Sequence, residues 1–287
     1  MNKIKNVSLL VNHKKKNIDE LLIKLLQWFK KKKINVSINE EIKDILKKNF
    51  NYLNYSKLTL ESDILIVLGG DGTLLYSINV LAFKNIPVLG INVGNMGFLT
   101  SISTQKIYSD LEIIFNGNYK IENRMLIKAS ILRKGKKIKC FTALNDFVIT
   151  KKEALARMIK IETLINEKSI SVFLGDGLII STPTGSTAHS LSAGGPIVNP
   201  LLNAFIITPI CAHTLTMKPL VVKSDEKISV KVSSNHKMIM LTIDGQRGFN
   251  ILPNDEIVIE KETWDFQLIT LLERNFYEVL REKLNWG

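Results

Sequence analysis

Apolar positions along the first third of the chain switch between two periods. Residues 7–11 (VSLLV) form a short β-rich run, and Leu21, Leu22, Leu25, Leu26 and Phe29 then recur at helical spacing, which predicts an amphipathic helix over residues 18–30. Residues 34–38 (INVSI) alternate as a strand does, and residues 64–68 are a continuous apolar run of the kind buried inside a parallel sheet. A helix-like segment follows to about Phe83, and residues 86–92 (IPVLGIN) read as another strand. Strand and helix in alternation predict a doubly wound α/β layer. Ligands of such layers sit at the carboxyl ends of the strands.

From about Tyr119 the texture changes to short β-rich runs: LIKASIL, FTALNDFVIT, MIKIETLI, SISVFL, FIITPI, ISVKV, MIMLTI and EIVIE. Turn residues punctuate them, which argues for a sandwich or folded-over sheet. The expected division is an α/β domain over residues 1–110 and a β-rich, sandwich-like domain over residues 111–287. The last stretch, LLERNFYEVLREKL, reads as a strand turning into a short amphipathic helix, and this tail is expected to pack back on the first domain.

A chain of 287 residues with 45% hydrophobic and 23% charged residues can build one large core or two ordinary ones. Its apolar runs are interrupted well short of the roughly 20 residues that span a bilayer. The opening MNKIKNVSLLVNHKKK lacks the long apolar core and cleavage site of a signal peptide, so a cytoplasmic protein is expected, with no membrane partner. Cys140 and Cys211 have no metal-ligand spacing and are expected as buried thiols. The net charge of +12 suits nucleic acid, an acidic membrane surface or anionic small substrates. It decides little, because the lysines are spread along the chain; the dense run 30–33 fits a helix C-terminus.

Three stretches carry candidate chemistry. In GGDGT, residues 69–73, Gly69, Gly70 and Gly72 let backbone N–H groups approach phosphate oxygens, and Thr73 is expected to cap the following helix. Asp71 is the anomaly there, since a carboxylate repels a phosphate: something positive, or something to be deprotonated, belongs beside it. The block GDGLIISTPTGSTAHSLSAGGPIVNP, residues 175–200, is dense in Ser, Thr and Gly. Its hydroxyls either bond a base or ribose, or satisfy local backbone in a buried turn. His189 reads as a ring for stacking rather than a proton shuttle, because no nucleophile is assigned to it. Asn145 and Asp146, inside TALNDFVIT, either cap a turn or bond a ligand's hydroxyls. Asp244-Gly245 is most simply a hairpin turn, with Gln246 beside it.

Taken in order, GGDGT, GINVGNMGFLT, LND, GDGLIISTPTGSTAHSLSAGGPI, HTLTMKPLVV and DGQ resemble the motifs of the NAD kinases, from about residue 60 to the C-terminus. GGDGT alone is shared with diacylglycerol and sphingosine kinases and with phosphofructokinases; the Ser/Thr/Gly block is far more specific. The resemblance implies transfer of the γ-phosphate of ATP to the 2′-hydroxyl of the adenosine ribose of NAD, in a cleft between the two domains. It implies Asp71 as general base, with a divalent metal such as Mg²⁺ carried in with ATP rather than held by protein ligands. Gly72 would lie against the dinucleotide, Asn145 and Asp146 would hold ribose hydroxyls, and Asp176 would serve the nicotinamide or ribose side. Thr187, Ala188, His189, Ser190, Leu191 and Ser192 would line the adenine, and Arg157 and Gln246 would add NAD contacts. NAD and ATP would be the partners, with no nucleic acid, and the assembly a homo-oligomer, a tetramer by resemblance. His189 stands where the family usually has Tyr, and Asp146 where it often has Glu. A lipid kinase of the diacylglycerol type is the rival enzyme; a non-catalytic dinucleotide sensor is the rival of another class, and has no use for Asp71.

Overall fold

The computed structural model describes residues 4–15, 18–46, 50–81, 85–94, 97–152, 158–233 and 239–286. The chain divides into two compact units, Met1–Asn123 with Phe266–Gly287, and Arg124–Asp265.

In the first unit the helix Ile18–Lys31 buries Ile18, Leu22, Leu25, Leu26 and Phe29. Asp19 and Glu20 in its first turn and Lys30 and Lys31 in its last match the helix dipole, so the lysine run is a solvated helix end. The sheet runs, edge to edge, Asn51–Leu53, Asn35–Asn39, Asn6–Val11, Ile64–Gly69, Val88–Asn92, Phe266–Leu271 and Tyr119–Arg124, with Ile102–Ser103 beside Val88–Asn92. From Asn51–Leu53 to Phe266–Leu271 neighbours are parallel, and Ile64–Gly69, at the middle, is buried at every position. The chain winds outward in opposite directions from Asn6–Val11 and Ile64–Gly69. Their carboxyl ends therefore flank the point where the winding reverses, which is where open α/β sheets bind ligands. GGDGT begins there.

The second unit packs two antiparallel sheets. One runs Leu220–Lys223, Ala204–Ile210, Gly177–Ser181, Asp146–Lys151, Ile239–Ile243, Arg247–Ile251; the other runs Lys168–Gly175, Ile159–Ile165, Ile228–Ser233, Glu256–Lys261, Ile127–Arg133, Lys136–Ala143. Alternate side chains point inward, so Phe147, Ile149, Leu178, Ile180 and Phe205 meet Ile127, Ile131, Ile161, Ile257 and Ile259 in one core. Burying each such side chain contributes roughly 1.5–3 kcal/mol.

The run FTALNDFVIT is two strands rather than one, broken at Leu144-Asn145, where the chain passes from one sheet to the other. Both cysteines are exposed, contrary to expectation. Cys140 lies on the edge strand Lys136–Ala143, and Cys211 follows Ala204–Ile210 in a left-handed turn residue (φ 45°), so neither position has a second layer to cover it. Among the described residues, no helix is long and apolar enough to cross a membrane.

A fragment ending at Asn123 lacks Phe266–Leu271, the strand between Val88–Asn92 and Tyr119–Arg124. It is expected to melt without cooperativity by circular dichroism, and joining residues 266–287 to it through a flexible linker to restore a sigmoidal transition. A cooperative melt of the short fragment would contradict that dependence.

Candidate active site

In the first unit the helix begins at Asp71 and runs Asp71–Leu81. Asp71 thus occupies the first turn, where the helix dipole favours a carboxylate. Its two oxygens accept from the backbone N–H groups of Phe98 (2.8 Å) and Leu99 (3.1 Å). A Cβ at Gly97 would collide with this carboxylate, so glycine is what lets the two segments close. In the sequence, Gly97 and the two donors are marked by nothing more than the pair of glycines in GNMGF.

The phosphate-loop residues separate. Gly69 is the buried last residue of its strand, and its carbonyl accepts from Val93 N–H (2.9 Å). Gly70 is half-buried and Gly72 exposed. Thr73 does not cap the helix. Its N–H already donates to the Gly70 carbonyl (2.9 Å), inside the first turn, and its hydroxyl accepts from Asn12 Nδ2 (3.1 Å) at the end of the neighbouring strand.

In the second unit Asp244 organises the corner at Leu144-Asn145. It opens a hairpin turn with φ 49°, followed by Gly245 at φ 65°, as the sequence suggested. Its carboxylate, however, turns inward and accepts from three successive N–H groups: Leu144 (3.0 Å), Asn145 (2.8 Å) and Asp146 (3.1 Å). These lie at the sheet-to-sheet corner, where ladder partners run out. Burial pushes the Asp244 carboxyl up to about 6; the three N–H bonds oppose the shift, and the Asp146 charge adds to it.

Asp146 is fully buried, and both its oxygens face His189 Nδ1 at 3.2 and 3.1 Å. The His189 ring is 53% exposed, and Gly245 leaves room for it, since a Cβ there would lie 3.0 Å from His189 Cε1. The hydrogen bond to Asp146 raises the imidazole pKa above its ordinary value; burial opposes this, and the charges of Asp146 and Asp244 reinforce it. Asn145 is half-buried, and its side-chain amide has no hydrogen-bond partner among the described residues.

Much of the Ser/Thr/Gly block satisfies itself. Thr182 Oγ1 donates to the Leu144 carbonyl and accepts from Gly185 N–H; Ser186 Oγ donates to Pro183 O (2.7 Å) and accepts from Val198 N–H (3.0 Å). Ser190 is fully buried with its hydroxyl on Thr208 Oγ1 (2.8 Å), so its hydroxyl faces the protein. Thr187, Ala188 and Leu191 are half-buried and Ser192 exposed, on the same short segment as His189. Asp176 forms an ion pair with Lys151 (2.8 Å). Gln246 closes the turn, its N–H donating to Ile243 O (2.9 Å). Arg157 lies outside the described residues.

Family models match both parts of the chain: the ATP-NAD kinase N-terminal domain over residues 7–119 and the ATP-NAD kinase C-terminal domain over residues 144–271. The NAD kinase of Natranaerobius thermophilus is 37% identical over 284 residues, covering 99% of each chain. That of Carboxydothermus hydrogenoformans is 46% identical over 226 residues, covering 79% of this chain and 80% of the relative. Among solved structures, yeast NADH kinase complexed with NADH superposes with a TM-score of 0.90 at 23% identity, covering 100% of this chain and 89% of that one. An Archaeoglobus fulgidus NAD kinase in complex with ATP gives 0.73 at 23% identity, over 98% of both chains. At that identity the two structures speak for the fold.

A His whose folded pKa is raised adds stability that is complete below its unfolded pKa and lost as pH rises through the folded one. Urea unfolding of His189→Ala is therefore expected to show a larger deficit against wild type near pH ~5.5 than near pH ~9, modest in size because half the ring is in water. An equal deficit at both pH values would mean that the His189–Asp146 pair carries no charge of consequence.

Proposed function

The chain belongs to the NAD kinase family, and on that premise we propose that it transfers the γ-phosphate of ATP to the 2′-hydroxyl of the adenosine ribose of NAD, giving NADP. The observation that carries the reading is the Asp71 carboxylate, held by two N–H groups at the ligand-binding end of the sheet. An ionised carboxylate has about four lone-pair sites, so two remain for a hydroxyl. Asp71 takes the 2′-hydroxyl proton while that oxygen bonds to the γ-phosphorus; the bond from the γ-phosphorus to the bridging oxygen breaks, and ADP leaves with its electron pair.

The other residues fit roles in binding. Gly72, exposed beside Asp71, lies against the dinucleotide. The Asn145 amide, without a hydrogen-bond partner among the described residues, suits ribose hydroxyls. Asp146 anchors the His189 ring, and its own contact with a ribose requires that ring to move. The exposed face of His189 stacks on adenine, with Thr187, Ala188, Leu191 and Ser192 around it; Ser190 supports them from inside. Asp176 serves the nicotinamide or ribose side, and Arg157 and Gln246 add contacts. The divalent ion, Mg²⁺ or a like metal, would come in with ATP, where it screens the charge of the triphosphate. A homo-oligomer in the cytoplasm, a tetramer by family likeness, with neither nucleic acid nor membrane as partner, completes the reading.

The purified protein is expected to form NADP from NAD, ATP and Mg²⁺, followed through an NADP-specific dehydrogenase. Asp71→Asn is expected to lower turnover by about two to four orders of magnitude, with NAD binding by calorimetry largely kept. Wild-type protein that binds NAD and forms no NADP would favour the sensor, and full turnover in Asp71→Asn would remove Asp71 as the base.

A further inference from the structure

The N–H donors that hold Asp71 belong to a short segment supported both from nearby and from far along the chain. Gly97 N–H donates to Thr100 Oγ1 (3.0 Å), which also accepts from Asn92 Nδ2 (3.0 Å). Ser101 Oγ donates to the carbonyl of Ile269 (2.8 Å), inside Phe266–Leu271. Just past that strand, Arg274 Nη2 donates to the carbonyl of Gly97 (3.2 Å). Arg274 is itself placed by its N–H on the Leu271 carbonyl (3.1 Å) and by Lys120 Nζ on its own carbonyl (3.1 Å).

The Gly97 carbonyl and the Phe98 N–H are two ends of one peptide plane, and a peptide plane turns as a rigid body. Pinning its oxygen therefore fixes the direction of its N–H, the shorter of the two donors to Asp71. The donor on that oxygen is a guanidinium, always charged, and it polarises the peptide so that the N–H at the far end becomes the stronger donor. We propose that Arg274 is a positioning residue for the phosphoryl transfer, aiming the Asp71 carboxylate through the Gly97–Phe98 peptide. The proposal rests on Asp71 being the base. Arg274 also lines a cavity of about 560 Å³ with Glu273 and Glu278, so a purely structural role is the alternative to be separated from it.

A double-mutant cycle separates them. Arg274→Met keeps the apolar stem and loses the donors. It is expected to lower kcat about tenfold to a hundredfold, as misaligned reacting groups do, while the KM for NAD changes little. Arg274→Lys, which still offers a charged donor to the same carbonyl, is expected to recover part of the loss. In an Asp71→Asn background Arg274→Met is expected to cost nothing further, because the group it aims is gone. The same fold-loss in both backgrounds, or a rise in KM with kcat kept, would overturn the proposal and leave Arg274 structural. Should Arg274→Met melt below the assay temperature, Arg274→Lys takes its place in the cycle, with the same two outcomes. Full turnover in Asp71→Asn alone would overturn the base assignment and this proposal with it.

Discussion

The carboxylate of Asp71 accepts two hydrogen bonds from consecutive backbone N–H groups, and the first unit is arranged around that contact. The carboxylate starts a helix at the positive end of its dipole, one residue after a strand buried at every position. Gly97 has no side chain because the carboxylate occupies that space. The donor segment in turn depends on Phe266–Leu271, the strand that comes back from the end of the chain to join the sheet. The Asp71 carboxylate thus sits at a helix start and is held by an irregular segment that is itself fastened to regular structure, which gives the contact the precision of the elements behind it.

The second unit solves a related problem with the same device. Where the chain turns from one sheet to the other, three N–H groups in a row lose their ladder partners, and Asp244 accepts all three. The cost is a buried carboxylate, visible in its raised pKa. The result is a fixed position for Asp146, which holds His189 at the surface by both oxygens. His189 stands where the family usually has Tyr, and an imidazole on a buried carboxylate can carry charge where a phenol would be neutral. The exposed ring is in this way coupled to pH through its support.

The fold was legible where periodicity was strong. Residues 64–68 read as a buried parallel strand because they are shielded on both faces, and the β-rich runs of the second unit alternate because one face is core. The corner at Leu144-Asn145 was hidden inside an unbroken apolar run, since nothing local marks a chain that changes sheets; the signal lies a hundred residues away, in Asp244. Asp71 stood out because a carboxylate beside glycines has no local explanation. Its donors, and Arg274 behind them, stayed hidden because backbone N–H groups carry no residue signature and the 97–274 pairing is long-range. From sequence Ser190 is expected to line the adenine and Thr73 to cap a helix. Only the fold shows that their partners are Thr208 and Asn12.

The most direct measurement is a crystal structure with NAD bound. The expected result is an Asp71 oxygen within about 2.6–3.2 Å of the 2′-oxygen of the adenosine ribose, with the Phe98 and Leu99 bonds retained. An Asp71 that keeps those two bonds while a different group faces the 2′-oxygen would contradict the assignment on which the mechanism stands.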